Sequence, residues 1–344
     1  MAQKINLDNV PEVDLLKTRI RDLPLSIDQC WLAECVDKLY HELQAKSIKF
    51  KPQCYLADEW LAPDGEPVVG IPFFLAHPAL MKLEKQMMLS VEGGTKTWCM
   101  QLLRHETGHA INYAYKLYKK TNWQNFFGAF DQEYKDTYRF RLYSKNFVRH
   151  LEDYYAQYHP DEDFAETFAV WLCPDIDWQN QYKGWGALQK LKYVDKLMAQ
   201  IKDKDPWVEK GKKFWQAAKL TSTLANYYKK KKHTYAEDFL DFHDTNLKRI
   251  FCLNTEEDKK HIKAYKVIHK YREQIINSVS TWTGEKKYIV DGLVKTLIKR
   301  SKDLDLIIKD TESIMILKIT AYITSLMMNY MYTGRLRGEK NRKY

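Results

Sequence analysis

Two histidines four residues apart, with a glutamate directly after the first, are the residues in this chain best suited to do chemistry. They lie in Arg104-His105-Glu106-Thr107-Gly108-His109, an H-E-x-x-H sequence. On a helix, residues four apart share one face, so His105 and His109 present two imidazole nitrogens to one metal ion while Glu106 projects beside them. Neutral imidazole is a good ligand for Zn2+, and the neighbouring carboxylate can accept a proton from water that such an ion activates. The alternative without chemistry is a helix carrying two hydrogen-bonded polar histidines.

A catalytic zinc site needs a third protein ligand and one open position. The metzincin pattern would place Gly at 112 and His at 115; the chain has Asn112 and Tyr115, which excludes it. The gluzincin pattern takes a glutamate from a second helix, followed four residues later by an acid that orients a ligand imidazole. Asp161-Glu162-Asp163-Phe164-Ala165-Glu166-Thr167-Phe168-Ala169 supplies both. Glu162 is read as the zinc ligand and Glu166 as the partner of His105 or His109; the reverse assignment stays open. Ala165 and Ala169 are small enough for close approach to the first helix. An acidic helix start favoured by the helix dipole accounts for Asp161 and Glu162, but not for Glu166 inside the apolar Phe164–Leu172 run.

Leu103 to Tyr113, Tyr154-Tyr155-Ala156 and His159 to Ala169 together resemble a family of bacterial zinc-binding metallopeptidases, and the E-x-F-A-E-x-F pattern is similar to lethal-factor-like catalytic domains. The match spans about residues 95–175 and implies a zincin-like, gluzincin fold and peptide-bond hydrolysis with one Zn2+. In lethal-factor-like enzymes a tyrosine seven residues before the ligand glutamate points into the site, which implies Tyr155 here, with Tyr154 and Tyr158 as rivals. The resemblance also implies that substrate lies as an added strand along a sheet edge, for which Val69–Leu75 is the candidate. His150 and His159 read as surface or helix-cap residues. The 52 residues between His109 and Glu162 leave room for an inserted helical segment, Trp123–Leu151.

Several elements must position these groups. Apolar residues recur at helical spacing from Val13 to Gln44, interrupted near Pro24. From about 48 to 75, short apolar runs alternate with Pro and Asp-Gly, which predicts a small antiparallel sheet. After Gly93-Gly94 a zinc-bearing helix is expected over about 97–120, and the helix with the third ligand over about 160–172, stopped by Cys173-Pro174. Beyond 185 nearly everything reads as Lys-rich helix. The expected fold is α+β and predominantly helical, with a catalytic domain over 1–205 and a basic helical region over 206–344.

The 344 residues include 55 Lys+Arg and 45 Asp+Glu, a formal charge of +10. Residues 1–200 carry 24 basic against 27 acidic side chains, and residues 201–344 carry 31 against 18. The basic half could engage nucleic acid, but no zinc finger, RRM-like or helix-turn-helix signature accompanies it, and a solvated surface is the favoured reading. The rival to a peptidase is therefore a non-enzymatic or nucleic-acid-associated binding protein with a structural or vestigial zinc site. The six cysteines form no C-x-x-C pair and read as reduced thiols. Charges near the N-terminus, where a signal peptide needs an apolar run, point to a cytoplasmic setting. Ser313–Tyr332 approaches the length of a membrane helix but contains Lys318, so a buried helix and no membrane contact are expected.

Overall fold

The computed structural model describes residues 7, 10–133, 141, 144–151, 155–233, 243–254, 262–308 and 310–333. Tyr154 and the C-terminal tail Arg335–Tyr344, expected to be flexible, lie outside the described residues. The chain forms two compact units. Met1–Met87, Val91–Lys135 and Phe140–Tyr228 make the first, and Lys229–Tyr344 make most of the second. Both are predominantly helical.

In the first unit, α1 (Glu12–Lys17) is followed by α2 (Leu32–Ala45). The helical periodicity of α2 puts Leu32, Cys35, Val36, Leu39 and Leu43 on its buried face. Strands β1 (Gln53–Ala57) and β2 (Val68–Pro72) pair in parallel, from Gln53 opposite Val68 to Ala57 opposite Pro72. The antiparallel hairpin expected here is therefore corrected. The turn residues between the strands bring the connection back, so that Leu61 bridges Gly70 antiparallel on the side of β2 away from β1. Gly70 is required by that approach, because a Cβ there would lie 2.4 Å from Leu61 Cδ2.

All five β2 residues are buried, and Phe73–Ala76 continues as a buried 3-10 turn. The proposed substrate edge Val69–Leu75 is thus not an open edge: β1 covers one side of β2 and the Leu61 bridge the other.

Helix α3 (Pro78–Met88) leads through Gly93 to α4 (Lys96–Ala114), whose first turn is capped by the Thr95 hydroxyl accepting from Trp98 N. Helix α4 stops at Ala114, short of the expected 120, because Lys116 takes a left-handed conformation with φ 51°. Of the expected insertion over Trp123–Leu151, the helical part is only α5 (Thr121–Phe127); residues 144–151 are not helical, and 134–140 and 142–143 lie outside the described residues. Next come α6 (Pro160–Leu172), buried at every position, then α7 (Trp178–Gln181), α8 (Ala187–Ile201) and the first part of α9 (Leu224–His233), the helix in which the first unit ends. A buried Lys190–Asp163 ion pair fastens α8 to α6.

The segment after residue 205, assigned from its charge to the second region, packs with the first unit. Val208 N donates to Ala114 O, Tyr55 and Phe214 exchange hydrogen bonds through the Tyr55 hydroxyl, and Gln216 bridges Ala57. The division falls at Tyr228 and Lys229 because backbone pairing, unlike charge, ties 206–228 to β1.

The second unit holds α10 (Asp244–Ile250), α11 (Ala264–Lys270), α12 (Arg272–Thr283), α13 (Lys287–Asp303) and α14 (Glu312–Thr333) around one apolar core. Helix α13 buries Ile289, Val290, Leu293, Val294 and Leu297 at helical spacing. A two-residue antiparallel pair, β3 (Cys252–Leu253) with β4 (Leu306–Ile307), was not foreseen; runs this short leave no alternation to read. No helix among the described residues is long and apolar enough to cross a membrane.

Candidate metal centre

The site is built where α4 crosses α6. Gly108 makes the crossing close: a Cβ on it would lie 2.7 Å from Ala165 Cα and 3.0 Å from Ala165 O. The absence of that one carbon lets the histidine face of α4 meet the acidic first turn of α6. The sequence pointed to Ala165 for this contact and overlooked Gly108, although a glycine inside an otherwise helical pattern is itself a sign of close approach.

His105, His109 and Glu162 are all buried, and their ligand atoms meet. Glu162 Oε2 lies 3.1 Å from His105 Nε2 and 3.2 Å from His109 Nε2, and the two Nε2 atoms are 3.2 Å apart. This is a nearly equilateral triangle of two nitrogens and one oxygen. Tetrahedral ligands about 2.05 Å from an ion stand about 3.3 Å from one another. The donor set and its spacing fit a first-row divalent ion.

Each imidazole is oriented from behind. His105 Nδ1 donates to Glu166 Oε1 at 2.8 Å, and Glu166 Oε2 accepts from Leu151 N at 2.9 Å. His109 Nδ1 donates to Asp161 Oδ2 at 2.7 Å. Asp161 is itself held by Asn112 Nδ2 at 2.7 Å and by the Tyr113 hydroxyl at 2.6 Å. With both Nδ1 atoms occupied as donors, both Nε2 atoms face Glu162.

Asp161, Asn112 and Tyr113 were missed as members of the site. Asp161 was explained by the helix dipole and Asn112 served only to exclude a histidine pattern, yet Asn112 and Tyr113 follow His109 by three and four residues and so share its face.

Glu106 is buried beside this group, and burial pushes its carboxyl above the ordinary range while His105 and His109 pull it down. Tyr155 sits at the start of a 3-10 turn with its ring centroid 5.6 Å from that of His105. Burial, reinforced by the nearby Glu162 and Glu106 charges, holds its phenol far above the usual value, so it is a hydrogen-bond donor at any working pH. Tyr158 stacks on Tyr155 with centroids 5.9 Å apart. His159 is the N-cap of α6 and accepts from Asp161 N at 3.1 Å, as its position before Pro160 suggested. His150 is no cap residue: its Nε2 donates to Gln101 O at 2.9 Å and burial lowers its pKa.

Four buried carboxylates, Glu106, Asp161, Glu162 and Glu166, thus surround two imidazoles. Charge of one sign at this density is costly unless positive charge compensates it. Protons can supply it: burial opposes the charged form of His105, but hydrogen bonds to Glu162 and Glu166 outweigh it and push the imidazole up to about 10. His109 is raised well above its ordinary value, with burial again opposed by Asp161 and Glu162. Burial raises the Glu162 carboxyl, but the histidines win and hold it well below the carboxylate range. Protons and a divalent ion therefore compete for one site.

No family model matches the chain, and no curated protein or solved structure matches it either.

Proposed function

We propose that the chain is a zinc-dependent metallopeptidase of gluzincin type. The observation that carries this reading is the His105, His109 and Glu162 triangle with Glu106 buried at its side. His105, His109 and Glu162 would hold one Zn2+, with Glu166 and Asp161 fixing the imidazoles. When bound, the ion supplies a Lewis acid that polarises the peptide carbonyl and lowers the pKa of water to about 7. Glu106 takes the proton from the attacking water and passes it to the leaving amine nitrogen. Burial raises its pKa, the direction that suits a group which must both accept and return a proton. The Tyr155 hydroxyl donates to the oxyanion that develops on the carbonyl oxygen.

Glu106→Gln tests this directly. Metal content of the purified protein should stay as in the parent while peptide hydrolysis is lost; hydrolysis at the parental rate would end the mechanism.

One observation favours a second reading. Residues 1–228 balance at 30 basic and 30 acidic side chains, whereas residues 229–344 carry 25 against 15, the whole of the net charge. A polyanion-binding role for the second unit accounts for that asymmetry without any peptidase. Steeply salt-dependent DNA binding by zinc-replete protein that cleaves no peptide would favour it.

A further inference from the structure

Among the described residues, one edge of the β1–β2 sheet is open over most of its length. β2 has β1 on one side and Leu61 on the other, whereas the far side of β1 carries a single antiparallel bridge, from Ala57 to Gln216. The chain begins a third strand there and leaves it, because Ala217–Lys219 turns into a 3-10 helix with Leu220 N donating to Ala217 O. Continued antiparallel from Gln216, residues 217–219 would have faced Leu56, Tyr55 and Cys54. In their place lies a cavity of about 680 Å³, a size that holds a ligand.

Cys54, Tyr55 and Leu56 all line this cavity, and β2 contributes nothing to it. Successive strand residues point to opposite faces, so a cavity that touches three in a row meets β1 edge-on, along its backbone. A row of open N–H and C=O groups is a template for one more strand. The metal centre lies toward the other edge: the connection that carries Leu61 reaches it at Asp64, whose Oδ1 accepts from the Tyr113 hydroxyl at 3.5 Å.

The two walls of the cavity differ in charge. On the Cys54 face stands α2, with the Tyr40 hydroxyl 4.0 Å from Cys54 Sγ; Asp37 on α2 and Asp28 in the turn before it line the cavity and are exposed to solvent. On the Tyr55 face stands the 213–216 segment, with Lys213 Nζ 5.8 Å from the Tyr55 ring centroid and Phe214 O accepting from the Tyr55 hydroxyl. Among the described residues, Asp28, Asp37 and Lys213 have no ion-pair partner. The other cation on the lining, Arg21, lies 3.6 Å from Asp22.

We propose that this cavity takes up an extended peptide as a third strand beside β1, and that the peptide carries a basic and an acidic side chain at adjacent positions. Adjacent side chains of a strand point to opposite walls, the basic one toward Asp28 and Asp37 and the acidic one toward Lys213. Main-chain hydrogen bonds to Gln53–Leu56 supply affinity, and the charged walls select the sequence. This site is independent of the peptidase reading.

The test uses the full chain and fluorescently labelled hexapeptides, acetylated and amidated, read by anisotropy. A peptide with Lys-Glu at its centre in a Val and Thr background should bind saturably, and its binding should slow amide hydrogen exchange at Gln53–Leu56. N-methylation of its central amides should abolish binding. Lys213→Gln, and Asp28→Asn combined with Asp37→Asn, should each weaken it by roughly five-fold, the weight of an exposed ion pair. His109→Ala should leave it unchanged. Equal binding of the N-methylated peptide, unchanged affinity in the charge variants, or binding of free lysine or glutamate but of no peptide would overturn the proposal. Loss of binding in His109→Ala would overturn it too, by placing the peptide at the metal centre. If a variant fails to fold, the N-methylated peptide and the exchange map of the parent protein decide.

Discussion

The α4–α6 crossing and the helical core of the second unit are both well buried, but they bury different things. The second core is largely apolar, with Val267, Ile268, Val279, Val294, Leu297 and Ile319 at its centre; among the described residues its one buried acid, Asp291, pairs with Arg272, while Arg300–Asp244 and Lys270–Glu312 sit nearer the surface. The crossing buries Arg104, His105, Glu106, His109, Asn112, Asp161, Glu162, Asp163 and Glu166 within two helices. Half-exposed pairs contribute at most about 1 kcal/mol each, whereas taking an ion out of water costs several kcal/mol. A chain that folds one unit around hydrocarbon has no need of so many buried charges in the other for stability. Their concentration marks the place where a metal ion could be held.

The contrast can be broken most forcefully by His109→Ala. Removing one corner of the triangle should abolish stoichiometric metal binding and the rise in Tm that added zinc gives, and retention of one tightly held ion would refute the assigned ligand set. Glu106→Gln should keep the ion while lowering hydrolysis by roughly 10^2 to 10^4-fold, the usual weight of a general base.

In the other unit, Leu297→Ala should cost about 2 to 5 kcal/mol by denaturant unfolding, the range for a fully buried leucine. Metal content should not change; a loss of metal would show that the two regions are energetically one. Asp161→Asn keeps the shape but weakens the hold on His109, so zinc affinity measured by competition with a chelator should fall about 10 to 100-fold. Gly108→Ala forces α4 off Ala165 and should cost about 1 to 3 kcal/mol together with weaker metal binding.

A pH series sharpens the comparison further. The raised His105 pKa contributes stability that is complete below its ordinary value near 6.5 and lost as pH climbs through about 10. The depressed Glu162 pKa contributes stability that is present above about 4.5 and lost in acid. Metal-free protein should therefore lose first-unit stability between pH 6.5 and 10, and zinc should flatten that decline. Equal slopes with and without zinc would argue against competition between protons and metal.

How much of this was legible in the sequence varied with chain separation. The H-E-x-x-H face, the helix from Pro160, the single turn from Glu162 to Glu166 and the cap at His159 follow from residues within a few positions of each other. Asp161 was not legible as a partner of His109, because which acid of Asp161-Glu162-Asp163 faces α4 depends on how α6 is rotated. Asp163 faces Lys190 on α8 instead. His150 looked like a surface residue and is half-buried, since its neighbours Gln101 and Glu166 lie far away in the chain. Hairpin-like turn residues at Pro63-Asp64-Gly65 do form a turn, yet the strand beside β2 in parallel is β1, because the connection itself supplies the antiparallel neighbour.

By itself, then, the amino-acid sequence determined a mostly helical chain with two imidazoles on one helical face and two acids on another, since a period of 3.6 residues is a property of the local backbone. Only the tertiary structure decided that these faces meet, that Asp161 and Glu166 each take one histidine, and that the charge boundary and the packing boundary differ. Those outcomes rest on the close contact of Gly108 with Ala165 and on backbone pairing of the 206–228 segment. Contacts between residues more than fifty positions apart are set by how helices pack, which no local pattern encodes.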